Sequence, residues 1–454
     1  MGEIGNFEVT KRDLITGKRL IHFYSSNKNV RFEIIKSLVD KKADVGVMDN
    51  KENLAHHYLC QNENVNLEIL SLIKERFLFS KANNEDKTGL HFLSLNPKIN
   101  LEMLKFCFHD EIKLKELVEG TSILHNLCLN KTEQPLTPLF SFLLSKKGDP
   151  NLKNEESKTV LHLLFEKKEL EVETLKELLE NKADLNLTDT KGKTCFHNFS
   201  PEKNFKEGLD LLIKHKANLN LRDKNGNSFF HHFFTQKNLS MDNYEKIEGM
   251  IDLNSVNEND ENILHLYLKQ EKIDKKILAL LLDKKCDQPN AQNKKGETIL
   301  LLLFSIDQED LLDLIEKQIE KGGEVNVCDK SGNSCFSYSL KDEKKIHFLE
   351  KKCKNHIFIS SSSPSSSSSD LPPLFYQLFS FDSEKILSLL SFGAHLNFFH
   401  PLHSYPLHFY LSLDSINYEN FLFLVSNLKG KFILILFIFF ILIYFYFCFN
   451  LILN

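Results

Sequence analysis

Histidine and cysteine are the residue types through which this chain of 454 could do chemistry, and it carries 18 of the first and nine of the second. Imidazole and thiolate are zinc's usual donors, and an imidazole held by a carboxylate is a general base. The nearest approaches to a ligand set are His56 and His57 followed by Cys60, and the pair His231 and His232. Neither offers a convergent four-ligand spacing, so no metal and no cofactor is expected. Cys60, Cys107, Cys128, Cys195, Cys286, Cys328, Cys335, Cys353 and Cys448 are dispersed, with no C-x-x-C pair and no N-terminal apolar signal segment, which points to reduced thiols in a cytosolic setting. Phosphate-binding glycine loops, a strand-linked G-x-G-x-x-G, a kinase catalytic loop and a nucleophile elbow are absent from the sequence. The carboxylates Asp310 and Asp313 share a charged helix face with Glu316 and Lys317, where ion-paired solvation is the ordinary reading. No catalytic residue is assigned, and no small-molecule substrate is expected.

What the histidines do have is order. His22, His57, His91, His125, His162, His197, His231 and His265 follow one another at steps of 35, 34, 34, 37, 35, 34 and 34 residues. The register continues through Leu301, Ser337 and Phe375 and regains histidine at His408. Each slot lies within a short phrase, a Gly or polar turn, then small-apolar-His, then an apolar helical run, as in KTVLHLLF, GKTCFHNF, GNSFFHHFF and ENILHLYL. A second phrase lies between the slots: VDKKADVGVMD, ENKADLNLTD and KHKANLNLRD. In it an apolar pair such as Leu178 and Leu179 ends a helix, a small residue such as Ala183 or Ala217 allows a tight turn, and Asp or Asn starts a hairpin. Each unit therefore reads helix, helix, hairpin-like turn. One such pair cannot bury its own apolar face, so the units must stack, and stability becomes a sum of nearest-neighbour contacts.

This pattern resembles the ankyrin repeat, which runs turn-Gly, Thr-Pro-Leu-His, two helices and a Gly-Ala-Asp-x-Asn closure at a period near 33. The resemblance covers nearly the whole chain, about twelve units. Proline of the Thr-Pro-Leu-His phrase is replaced by Val160, Cys195, Phe229 or Ile263 and survives only as Pro373 and Pro406. The resemblance implies an all-α solenoid of helix-turn-helix units with hairpin-like turns, drawn out into a curved rod. It also implies a non-enzymatic adaptor or scaffold that binds other proteins through a concave surface lined by hairpin tips and inner helices. It makes His57, His91, His125, His162, His197, His231, His265 and His408 structural, each ring bonding local backbone to hold the turn against the first helix. His56, His232 and His403 lie outside the slot and are expected to be exposed. The net charge of −5, from 57 basic and 62 acidic side chains, supplies no field that would favour nucleic acid. The candidate partner-binding residues are the tips Lys191, Lys193, Lys224, Asn225, Lys294, Lys295 and Lys330, which project from the stack and are not needed for packing. This basic series is interrupted by Glu155 and Glu156 and by Asn259, Asp260 and Glu261.

About ten units are expected over 5–357, a Ser-rich solvated linker over 358–370, and one or two further units over 371–430, the last incomplete. The tail 431–454 contains FILILFIFFILIYFYFCF at 432–449, uncharged and close to the ~20 residues needed to span a bilayer. Two readings stand. It is a transmembrane anchor that tethers a cytoplasmic scaffold to a membrane. Alternatively it is translated intron, since it begins mid-unit and uses only residues with T-rich codons, and the authentic protein then continues into further repeats or another domain.

Overall fold

The computed structural model describes residues 10–349 apart from a few short interruptions; the linker, the later units, His403, His408 and the apolar tail lie outside the described residues. The described residues divide into two compact units, one running to Asp252 with Val256–Glu258, the other formed by Leu253–Ser255 and the chain from Asn259. Both are built from the same element.

In the first unit the repeat's first helices are Leu20–Ser25, Ala55–Gln61, Gly89–Ser94, Ile123–Leu129, Val160–Phe165 and Phe229–Phe233, with a 3-10 turn Cys195–Asn198 at the sixth place. In the second unit they are Ile263–Tyr267, Ile299–Ser305 and Cys335–Ser339. Every one starts two residues before a slot position. Longer second helices alternate with them, among them Phe32–Asp40, Thr137–Ser145, Val172–Glu180 and Phe205–Lys214, then Lys275–Asp283 and Leu312–Glu320. Among the described residues there is no strand, only isolated bridges at Val118 with Thr121 and Thr188 with Thr194.

Helices of five to ten residues are marginal alone. They persist because, within each compact unit, first helices pack on the first helix of the next repeat and second helices on the next second helix. Apolar side chains at fixed register fill the seam. In the fifth repeat these are Leu161, Leu164, Leu175, Leu178 and Leu179, all buried. At about 1.5–3 kcal/mol per fully buried side chain, this register and not helix propensity holds the stack together. The abundant phenylalanine is core material. Phe165, Phe199, Phe205 and Phe233 form a chain of rings with centroids 5.0–5.1 Å apart through three repeats.

The closing turn differs in one respect from the sequence-based expectation. The residue in the left-handed region is the lysine before the alanine: Lys42, Lys182 and Lys216 have φ of 61°, 66° and 59°. Ala183 N–H then bonds Leu178 C=O at 3.0 Å and Lys182 N–H bonds Leu179 C=O at 3.1 Å, the two-bond closure that satisfies a helix's last carbonyls. The alanine is needed because its side chain faces the core, where it is 8% exposed.

Candidate partner-binding surface

The slot histidines prove to be bridges between repeats as well as local clasps. In the fifth repeat His162 Nδ1 accepts the Thr159 N–H at 3.0 Å and lies 2.9 Å from the Thr159 hydroxyl, while Nε2–H donates to the Lys193 carbonyl, 3.1 Å away in the next hairpin. The same pair of bonds recurs at His125 with Ser122 and Lys158, at His197 with Thr194 and Asn227, and at His265 with Asn262 and Glu297. His57 bonds the Leu54 N–H and the Lys81 and Lys87 carbonyls. His91 and His231 hold their own turns through Thr88 and Ser228. Burial disfavours the imidazolium throughout. It lowers the pKa of His22, His125, His162 and His265, and brings His57, His91 and His197 to about 4. The rings so shifted are neutral at neutral pH, and Leu301 fills the same buried slot in the second unit.

Two of the remaining histidines correct the sequence reading. His232 is not free in solvent: it is half-buried and its Nε2 lies 2.8 Å from the Asp223 carboxylate. His56 is 0% exposed and sits where other repeats carry Leu, Phe or Ile. The thiols are equally inert. Burial pushes Cys128 up to about 12 and Cys195 higher still, and their sulfurs lie 3.7 and 3.6 Å from the Val160 and Leu185 carbonyls. Among the described residues no group of three His, Cys, Asp or Glu side chains could hold a metal ion. Asp313, one of the carboxylates singled out above, pairs with Lys275 at 3.0 Å; Asp310 lies outside the described residues.

The hairpins rest on a residue that the histidine register hides. Eight positions before eight of the ten described slots, His22 and His125 having Leu14 and Leu117 there, stands Asp or Asn: Asp49, Asn83, Asn154, Asp189, Asp223, Asn257, Asn293 and Asp329. Its side-chain oxygen accepts two backbone N–H groups across the tip, as Asp189 does from Lys191 and Lys193 at 2.8 and 2.9 Å and Asp223 from Asn225 and Asn227. Its chemistry is matched to the residue after the slot. Where the turn has Asp, that position is a donor: Tyr58, Asn198, His232 and Tyr338. Tyr58, His232 and Tyr338 reach the second carboxylate oxygen of Asp49, Asp223 and Asp329 at 2.5, 2.8 and 3.0 Å. Where the turn has Asn, the position is apolar: Phe92, Leu163, Leu266 and Leu302. A buried carboxylate needs its extra lone pairs satisfied, whereas an amide brings its own donor, which Asn83 and Asn257 direct to Asn53 and Asn227 at 2.8 and 2.9 Å. A parallel ladder of Asn62, Asn96 and Asn130 caps the first helices, each amide donating to two carbonyls of the preceding repeat.

The tips are therefore not dispensable for packing, as the sequence suggested; their backbone joins one repeat to the next. Lys224 N–H bonds the Lys191 carbonyl at 2.9 Å and Lys330 N–H bonds the Lys295 carbonyl at 2.8 Å. Gly226 and Gly296, at φ of 74° and 77°, let the tips approach, since a Cβ on either would meet the next tip's backbone at 2.8 Å. Side chains are a different matter. Lys191, Lys224 and Asn225 in the first unit, and Lys294, Lys295 and Lys330 in the second, are exposed. Lys193 is half-buried, its amine 3.4 Å from Asn198 Oδ1. The seven residues thus fall into two sets, one on each compact unit, and not into one group.

No protein-family model matches the chain, and no curated protein matches it. Among solved structures, a human ASB11 ankyrin repeat domain is similar at 16% identity and a TM-score of 0.40, over 51% of this chain and 97% of that domain. Among the described residues no helix is long and apolar enough to cross a membrane, and the tract 432–449 lies outside them.

Proposed function

We propose that this chain is a non-enzymatic protein-interaction module, an adaptor or scaffold acting in the cytoplasm, which recognises its partner through hairpin-tip side chains. One observation carries the reading. The tip N–H groups are engaged, bonded within the turn or to the neighbouring tip, while the side chains of Lys191, Lys224, Asn225, Lys294, Lys295 and Lys330 stand exposed. A rigid platform with exposed side chains loses little conformational entropy on binding, which is the condition for a selective protein contact. The absence from the sequence of any nucleotide-binding or nucleophile motif is consistent with binding alone. The test places a photo-crosslinking amino acid at Lys224, at Lys295, and at a control position on a second helix, Lys176. The proposal expects one discrete protein adduct from a tip position, lost when neighbouring tip residues are replaced by alanine. Adducts only from Lys176, or none dependent on tip residues, would overturn it.

A further inference from the structure

The second repeat departs from repeats three to five at positions 54 and 56, and both departures concern where a proton can go. In repeats three to five the slot histidine follows Thr88, Ser122 or Thr159, whose hydroxyl lies 2.7–2.9 Å from Nδ1. That oxygen can accept an Nδ1–H if the ring is protonated. In the second repeat this position is Leu54, so His57 Nδ1 meets only a backbone N–H, at 2.9 Å, and the imidazolium would set donor against donor. One residue earlier stands His56, wholly buried, with no hydrogen-bond partner on Nδ1 or Nε2. Its ring is 4.0 Å from that of His57 and 5.0 Å from Phe79. It fits because the next repeat carries Gly89 where every other described repeat has a Cβ (Leu, Ala, Ile, Val, Cys or Phe); a Cβ there would lie 2.6 Å from the His56 ring. Ala55, His56 and Gly89 thus form one packed unit that admits a neutral imidazole and offers a charged one nothing.

The surroundings do not compensate. The helix packs on Leu20–Ser25, Leu67–Ser71, the turn Arg76–Ser80 and Gly89–Ser94. Their titratable and charged groups are His22, itself buried, Tyr24, half-buried, Glu68, exposed, His91, whose Nε2 is buried without a partner, and Arg76, whose side chain lies outside the described residues. Asp49 is engaged by Tyr58, and Lys87 by Glu85 and Glu119. We propose that the second repeat is an acid-triggered break in the first unit, in which protonation of His56 and His57 releases the Ala55–Gln61 helix while the fifth repeat's Val160–Phe165 helix stays folded. Exposing the two rings lets each bind a proton from solvent, and that uptake drives the opening.

Hydrogen exchange of the full chain at about pH 7 and about pH 5, corrected for intrinsic exchange, tests this. Taking His57 at about 4 folded and 6.5 free, its release alone raises the opening constant of Ala55–Gln61 about 20-fold between those pH values, and His56 adds to it. The variant Leu54→Thr with His56→Leu restores the fifth repeat's phrase and is expected to respond to acid no more than Val160–Phe165. An equal response of Ala55–Gln61 and Val160–Phe165 in the natural chain, or an unchanged response in the variant, would overturn the proposal. Should the variant fail to fold at pH 7, NMR titration of His56 in the natural chain decides. A protonated ring accompanying exchange of this helix supports the break, and a protected helix with the ring neutral at pH 5 refutes it.

Discussion

Replacing His162 with leucine isolates the bridge between repeats. The ring accepts the N–H of Thr159, which is 0% exposed, and donates to the Lys193 carbonyl. Leucine fills a similar volume, so cavity terms are small, and the cost lies in the polar groups left behind. The Thr159 N–H loses its acceptor, a penalty of about 1–3 kcal/mol for a buried donor. The Lys193 carbonyl still accepts the Asp189 N–H at 2.9 Å, so its loss is one net hydrogen bond, about 1 kcal/mol. The sum is about 2–4 kcal/mol, localised at the junction of repeats five and six. Repeat arrays need not unfold in one step, so the readout is amide exchange of residues 159–165 and 189–193 at neutral pH, where protection should fall by roughly 30- to 1000-fold by the same arithmetic. The reverse change, Leu301→His, is expected to be neutral or stabilising by up to about 1 kcal/mol, because the Thr298 hydroxyl and a hairpin carbonyl already await the ring. A His162→Leu effect below about 0.5 kcal/mol, or one spread evenly over the chain, would refute the bridging argument.

Four other outcomes follow from the same geometry. Asp223→Asn and His232→Leu should each destabilise by about 1–2 kcal/mol, yet together cost less than their sum, since the pair then matches the Asn and apolar pairing of other repeats; denaturation of the double-mutant cycle measures the coupling. Lys182→Gly should stabilise by about 0.5–1 kcal/mol by relieving a left-handed lysine, seen as a raised midpoint in urea. Acid should destabilise the first unit well above the carboxylate range. The folded rings of His57, His91 and His197 titrate at about 4, below the free value of 6.5, so their contribution is complete above about pH 6.5 and fades as pH falls toward 4; circular dichroism should register roughly 5 kcal/mol lost by pH 5. Lys224→Ala should leave stability within about 0.5 kcal/mol, as its exposed side chain does no packing, and a larger shift in thermal melting would contradict that.

The helix-pair repeat was legible because it is a periodic property, and the slot at 22, 57, 91, 125, 162, 197, 231 and 265 marked eight of the ten described first helices, each starting two residues before it. The hairpin frame was legible in principle but easily missed. Its Asp or Asn stands eight residues before the slot, and its partner one residue after it, so the signal is a correlation between two columns nine apart. The closure misled because alanine is the visible small residue, whereas the backbone strain falls on Lys42, Lys182 and Lys216, a type that gives no hint of positive φ. His56 was misjudged for a related reason: a polar residue in a core register reads as surface until its neighbour's missing Cβ is noticed, and Gly89 supplies that space. The partner surface was read as one basic series, but it divides because the chain itself divides between residues 253 and 258.

The measurement closest to the central claim uses whichever protein the Lys224 or Lys295 crosslinker captures. Its affinity is determined by calorimetry for the natural chain and for two variants, one with Lys191, Lys224 and Asn225 replaced by alanine, the other with Lys294, Lys295 and Lys330 replaced. Loss of about 1.4 kcal/mol or more, tenfold in Kd, in one variant with an unaltered circular dichroism spectrum is what tip recognition predicts. Unchanged affinity in both, with the fold intact, would show that the partner is held elsewhere and contradict the account.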